Sequence, residues 1–101
     1  MAKKVTSSKM PQAQFINDAH VLGQLIKARR TAMGMKLADC AALCNVGINT
    51  LSRIENGNNN CTLAATFAVL NGIGIKLTSP SLTPDSIEKR NHSNVNNDEW
   101  V

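Results

Sequence analysis

Aromatic side chains are nearly missing from this chain: it has two Phe, one Trp and no Tyr among 101 residues. Any core must therefore be aliphatic. Long apolar runs are missing too. None approaches the roughly 20 residues of a membrane-spanning helix, and the N-terminal MAKKVTSSK is not followed by the apolar stretch of a signal peptide. A cytoplasmic protein with no membrane partner is expected. Three cysteines, an odd number, argue against a disulfide framework. Cys40 and Cys44 stand one helical turn apart, a spacing open to metal ligation or to packing. His20 and His92 bear no ligand spacing to them, and structural zinc takes four ligands, so the expected reading is small buried hydrophobes and no metal. Cys61 is open between an exposed and a packed thiol. No nucleophile with a base, no phosphate loop and no paired carboxylates appear, so neither an enzyme nor a cofactor is expected.

Acids are scarce in the first part of the chain. Residues 1–79 hold nine Lys or Arg against three Asp or Glu, and residues 80–101 hold two against four. The first part is thus about +6 and the tail about −2, an asymmetry that suggests an anionic partner for one and a different partner for the other. Residues 1–13 are basic and polar without periodicity and read as a flexible arm. Residues 14–79 read as one domain, and residues 80–101, with Pro80, Pro84 and many Ser and Asn, read as a disordered tail.

Within the domain the pattern is helical. Asp18 caps a helix running to about Met33, with Val21, Leu22, Leu25, Ile26, Ala28 and Ala32 inward and Gln24, Lys27 and Thr31 outward; Gly34 ends it. Lys36 to Gly57, KLADCAALCNVGINTLSRIENG, then reads as two short helices and a tight turn. Leu37, Cys40, Ala41 and Cys44 form one apolar stripe, and Asn45 tolerates the left-handed turn that follows. Val46, Leu51 and Ile54 point inward, leaving Ile48, Asn49, Ser52, Arg53 and Asn56 on or near the outer face. Thr62 caps a further helix through Leu63, Phe67 and Leu70, stopped near Gly72. Ile73, Ile75 and Leu77 then alternate with polar or small residues as a strand does. A lone strand has backbone groups that need a partner. The solutions are a copy of itself across a two-fold axis, the Gln14 to Ile16 segment, or no pairing at all. The fold expected is an all-α helix-turn-helix domain of four to five short helices, with one C-terminal β-strand pairing across a homodimer and a disordered tail.

The order helix, small residue, turn, second helix and Glu55-Asn56-Gly57 resembles the phage-repressor helix-turn-helix family. Departures are Lys36 or Leu37 where a Gln is often found, Cys40 in place of a Leu, and Asn45 in place of a turn Gly. With the Asn-rich loop, Cys61-Thr62-Leu63, the next helix, the short strand and a near-terminal Trp100, the chain looks like the HipB-like antitoxins of the HipBA toxin–antitoxin system. The resemblance covers about residues 15–79 and the end of the tail.

That resemblance implies a homodimer that represses its own operon at palindromic double-stranded operator DNA and binds a HipA-type serine/threonine kinase toxin. It implies base reading by Gly47, Ile48, Asn49 and Ser52. Of these, Asn49 can pair bidentately with adenine, Ser52 can bond either kind of edge, Ile48 can pack a thymine methyl, and Gly47 offers only its backbone. Lys36, Arg53, Asn58, Asn59 and Lys27 are candidates for phosphates, with an ordinary solvated charge as the alternative, favoured for Lys27. Arg30 and Glu55 match an internal ion pair of the family; Ile73, Ile75 and Leu77 match its dimer strand; Trp100 matches its toxin contact, against the alternatives of an accidental residue or one docked on its own core. The other readings are a helix-turn-helix repressor without a toxin partner and an adaptor that no longer reads DNA.

Overall fold

The computed structural model describes residues 5–82, in which four helices follow one another: α1 (Ala19–Ala32), α2 (Leu37–Cys44), α3 (Ile48–Glu55) and α4 (Leu63–Gly72). Two start on side-chain caps. Asp18 Oδ1 accepts the Val21 N–H at 2.9 Å, and Thr62 Oγ1 accepts the Ala65 N–H at 3.1 Å, each satisfying a donor that a helix start leaves orphaned. α2 and α3 start at Lys36 and Gly47 with no side-chain cap.

All four helices end by the same device. An N–H bonds back five residues, from Met35 to Arg30, Val46 to Ala41, Asn58 to Arg53 and Ile75 to Leu70, at 2.9–3.2 Å. The residue before each donor has positive φ: Gly34, Asn45, Gly57 and Gly74. Asn45 takes the left-handed conformation that its sequence position suggested, at φ 60°. At Gly57 a side chain is excluded twice, by φ +77° and because a Cβ would stand 2.8 Å from His20 Cα.

α1 packs on α3, α2 on both α3 and α4, and α3 on α4. The core is Ile26, Cys40, Ala41, Cys44, Leu51, Ile54, Val69, Leu70 and Ile73, aliphatic apart from two thiols. The sulfurs of Cys40 and Cys44 lie 4.0 Å apart inside it. Burial pushes the Cys40 thiol up to about 11, which keeps it protonated and poorly nucleophilic at neutral pH.

Two sequence expectations are corrected, and a third, the strand, is not formed within one chain. Thr31, placed outward by periodicity, is 6 % exposed because its hydroxyl donates to Lys27 O and accepts from the Ser8 N–H of the arm. Ala32, placed inward, is exposed. No strand forms among the described residues. Ile73 is the C-cap of α4 and 1 % exposed, Gly74 turns the chain, and residues 75–79 follow with neither helix nor strand. A strand exists only by pairing, and no backbone bond joins this segment to Gln14–Ile16, although both line one hollow. Trp100 and the tail beyond residue 82 lie outside the described residues.

Candidate nucleic-acid interface

α3 is an eight-residue helix anchored by Leu51 and Ile54, both buried. Its opposite side is open: Ile48, Asn49, Arg53 and Asn56 are exposed and Ser52 is half-buried. Gly47 is its N-cap, and the nearest atom a Cβ there would meet is Thr50 Oγ1 at 3.7 Å, so the backbone is approachable. Lys36, the exposed N-cap of α2, stands at the other uncapped helix start. The two helices of the motif are thus the two whose leading N–H groups no side chain occupies, and such positive helix ends favour an anion. Asn58 and Asn59 are exposed in the loop after α3. Asn58 Oδ1 accepts the Asn60 N–H at 2.7 Å, which shapes the loop. Lys27 is exposed on α1.

What aims this face is a joint behind it. Arg30 Nε donates to Glu55 Oε2 at 2.6 Å and its Nη2 to Glu55 Oε1 at 2.9 Å, a bidentate pair with side chains 9 % and 6 % exposed. Arg30 Nη1 also donates to Met35 O at 2.8 Å. The Glu55 hydrogen bond is the main reason the guanidinium holds its proton more firmly than usual. The pair fixes the end of α3 to α1 and neutralises a carboxylate near the outer face.

Periodicity missed three contributors. Gly23 lies where α1 crosses α3: a Cβ would clash with Ile54 O and stand 2.7 Å from Glu55 O. A glycine inside a helical pattern was the available signal. Arg29 Nε donates to Ile73 O at 2.9 Å, tying α1 to the exit of α4; no local signal marks it. Ser8 ties the arm to Thr31, equally unmarked.

A model of the helix-turn-helix family matches residues 26–78. The chain belongs to the helix-turn-helix family. No curated protein matches it. Among solved structures, a chain of the complex titled HipA-HipB-O2-O3 has a TM-score of 0.62 and 24 % identity, over 70 % of this chain and all of that one. A chain titled MDT protein gives the same values, and a HipB variant in a complex with an O2 20mer gives a TM-score of 0.62 and 25 % identity over 71 % of this chain and all of that one. These likenesses establish the fold: a four-helix helix-turn-helix domain. None of the described helices is long and apolar enough to cross a membrane.

Proposed function

We propose that this helix-turn-helix protein is a cytoplasmic antitoxin and transcriptional autorepressor, nucleoid-associated when on DNA. It binds palindromic operator DNA as a homodimer and binds a HipA-type kinase toxin. The observation that carries the DNA reading is the α3 face: polar, open, flanked by two uncapped helix starts, and aimed by the buried Arg30–Glu55 pair. Asn49 and Ser52 read base edges, Ile48 packs a thymine methyl, and Gly47 lets the backbone come close. Lys36, Arg53, Asn58, Asn59 and Lys27 meet phosphates. The toxin reading is supported by one of the similar structures, a complex of HipA with HipB, and Trp100 is its proposed anchor.

The dimer is supported by an apolar surface. Phe15, Ile16 and Leu77, 66, 47 and 43 % exposed, converge on a hollow of about 470 Å³, beside residues 76–78, whose backbone has no partner among the described residues. Residues 75–78 of two copies then pair as an antiparallel ribbon, and two recognition helices read half-sites about 34 Å apart.

The first experiment is a titration against the chain's own promoter DNA at two salt concentrations, beside a scrambled duplex. Promoter-selective binding that weakens with salt and is lost in Asn49→Ala is the expected result. Equally weak binding to both duplexes would favour an adaptor, for which the exposed, apolar Ile48 at the start of α3 is the specific observation. Removing Asp98 to Val101 should weaken toxin binding and spare DNA binding.

A further inference from the structure

Residues 5–13 run without helix or strand, yet the arm is tied to the domain. The Ser8 N–H donates to Thr31 Oγ1 at 2.8 Å, and the Thr31 hydroxyl is fixed in turn by donating to Lys27 O at 2.8 Å. This contact brings Lys9 to an open hollow of about 360 Å³ between the arm, the outer side of α1 and the end of α3. His20, Gln24 and Lys27 line it from α1, and Asn56 from the end of α3.

The charges around the hollow do not cancel. Its one acid, Glu55, is engaged by Arg30 through two N–H···O bonds, so that pair is neutral as a unit. Lys9 and Lys27 are exposed, and neither has a carboxylate partner among the described residues. Two cations facing one concavity repel each other unless an anion lies between them. Gln24 and Asn56 add uncharged N–H donors, so the lining offers donors far in excess of acceptors. Its position also matters. Asn56 lies one helical step beyond Glu55 and three residues past Arg53, at the far end of the recognition helix. When such a helix reads bases with its N-terminal residues, the elements around it meet the flanking sugar–phosphate backbone.

We propose that this hollow seats a DNA backbone phosphate, with Lys9 and Lys27 as its cations and Asn56 as a neutral donor. The arm thereby becomes part of the DNA-binding surface, with the Ser8–Thr31 bond as its tether. The proposal rests on the DNA-binding reading above. It adds affinity and register and no sequence preference, because a phosphate is the same beside every base.

The test uses the full chain with Lys9→Ala, Lys9→Arg and Thr31→Val, titrated against promoter and scrambled duplexes over a salt series. Each neutralised phosphate contributes about 0.9 to the slope of log affinity against log salt. Lys9→Ala should reduce that slope by up to about 1 and weaken both duplexes by a similar factor, up to about tenfold at ~0.1 M salt. Lys9→Arg should restore the slope. Thr31→Val, its folding checked by circular dichroism, should reproduce the Lys9→Ala slope by releasing the arm. An unchanged slope in Lys9→Ala, with the unsubstituted chain still promoter-selective, overturns the phosphate seat and leaves the repressor reading standing. Absence of DNA binding by the unsubstituted chain overturns both.

Discussion

Consecutive arginines of α1 make two different joints. Arg30 reaches Glu55 through two short bonds in a nearly closed site, while Arg29, itself exposed, gives one bond to the Ile73 carbonyl at the exit of α4. The first joint is complete within one chain: charge meets charge, and Gly23 lets the two helix backbones approach. The second releases a segment, residues 76–78, whose backbone pairs with nothing among the described residues, and Leu77 within it and Phe15 and Ile16 beside it remain exposed. The orientation of the recognition helix is therefore finished in the monomer, and the surface that would set the distance between two recognition helices is not. A reader of palindromic DNA needs both, and they rest on different physics: a buried ion pair on one side and, on the other, an exposed apolar surface proposed above to pair with a second copy.

The largest expected effect falls on the closed joint. Glu55→Ala leaves the Arg30 guanidinium buried with only Met35 O, and breaking a buried pair this way costs about 3–5 kcal/mol. A thermal melt should fall by well over 10 °C, at roughly 4–8 °C per kcal/mol for a domain of this size. A loss below about 1 kcal/mol would mean that helix packing alone holds α3. Next, Gly23→Ala pushes α1 off α3 and should cost about 1–3 kcal/mol, with operator affinity falling more than the melt alone predicts, since the recognition helix is what moves.

Alkaline pH should weaken the closed region as well. Burial raises the Cys40 thiol from the usual 9.0 to about 11, so below pH 9 both folded and unfolded chains keep it protonated. Between about 9 and 11 only the unfolded chain ionises, and stability drops. Denaturant titrations of the unsubstituted chain and Cys40→Ala across that range should converge as the pH rises; parallel curves would remove the thiol from the account.

At the open joint the effects on folding shrink and those on assembly grow. Arg29→Gln gives up a charge-assisted bond to one carbonyl, about 1 kcal/mol at a partly exposed site. Its distinctive readout is operator spacing: duplexes with half-sites moved by one base pair should be discriminated less well than by the unsubstituted chain. Leu77→Asp should change the melt of the isolated domain by less than about 0.5 kcal/mol, yet sedimentation velocity should find the proposed dimer in the unsubstituted chain and lose it in the variant. If Leu77→Asp instead unfolds the chain, the contrast between a finished and an unfinished joint fails.

Much of the helical scaffold was legible because its signals are local. Asp18 and Thr62 each bond an N–H three residues on, Asn45 turns left-handed where the stripe of α2 stops, and Leu51 and Ile54 share one side of α3 because they are three residues apart. The alternation at Ile73 to Leu77 forms no strand within one chain, for the opposite reason. Period-2 hydrophobicity predicts a strand only if a partner supplies the ladder, and in one chain Ile73 is worth more as the lid of the core at the end of α4.

The sequence by itself therefore determined where helices start and stop and which stripe of each is apolar, since those depend on interactions within about one helical turn. Tertiary structure alone decided that Thr31 turns inward to hold the arm, that Gly23 marks a backbone crossing, and that Arg29 grips Ile73 forty-four residues away. Contacts of that reach depend on how whole helices are placed against one another, and the periodicity of a single helix carries no record of what it will meet.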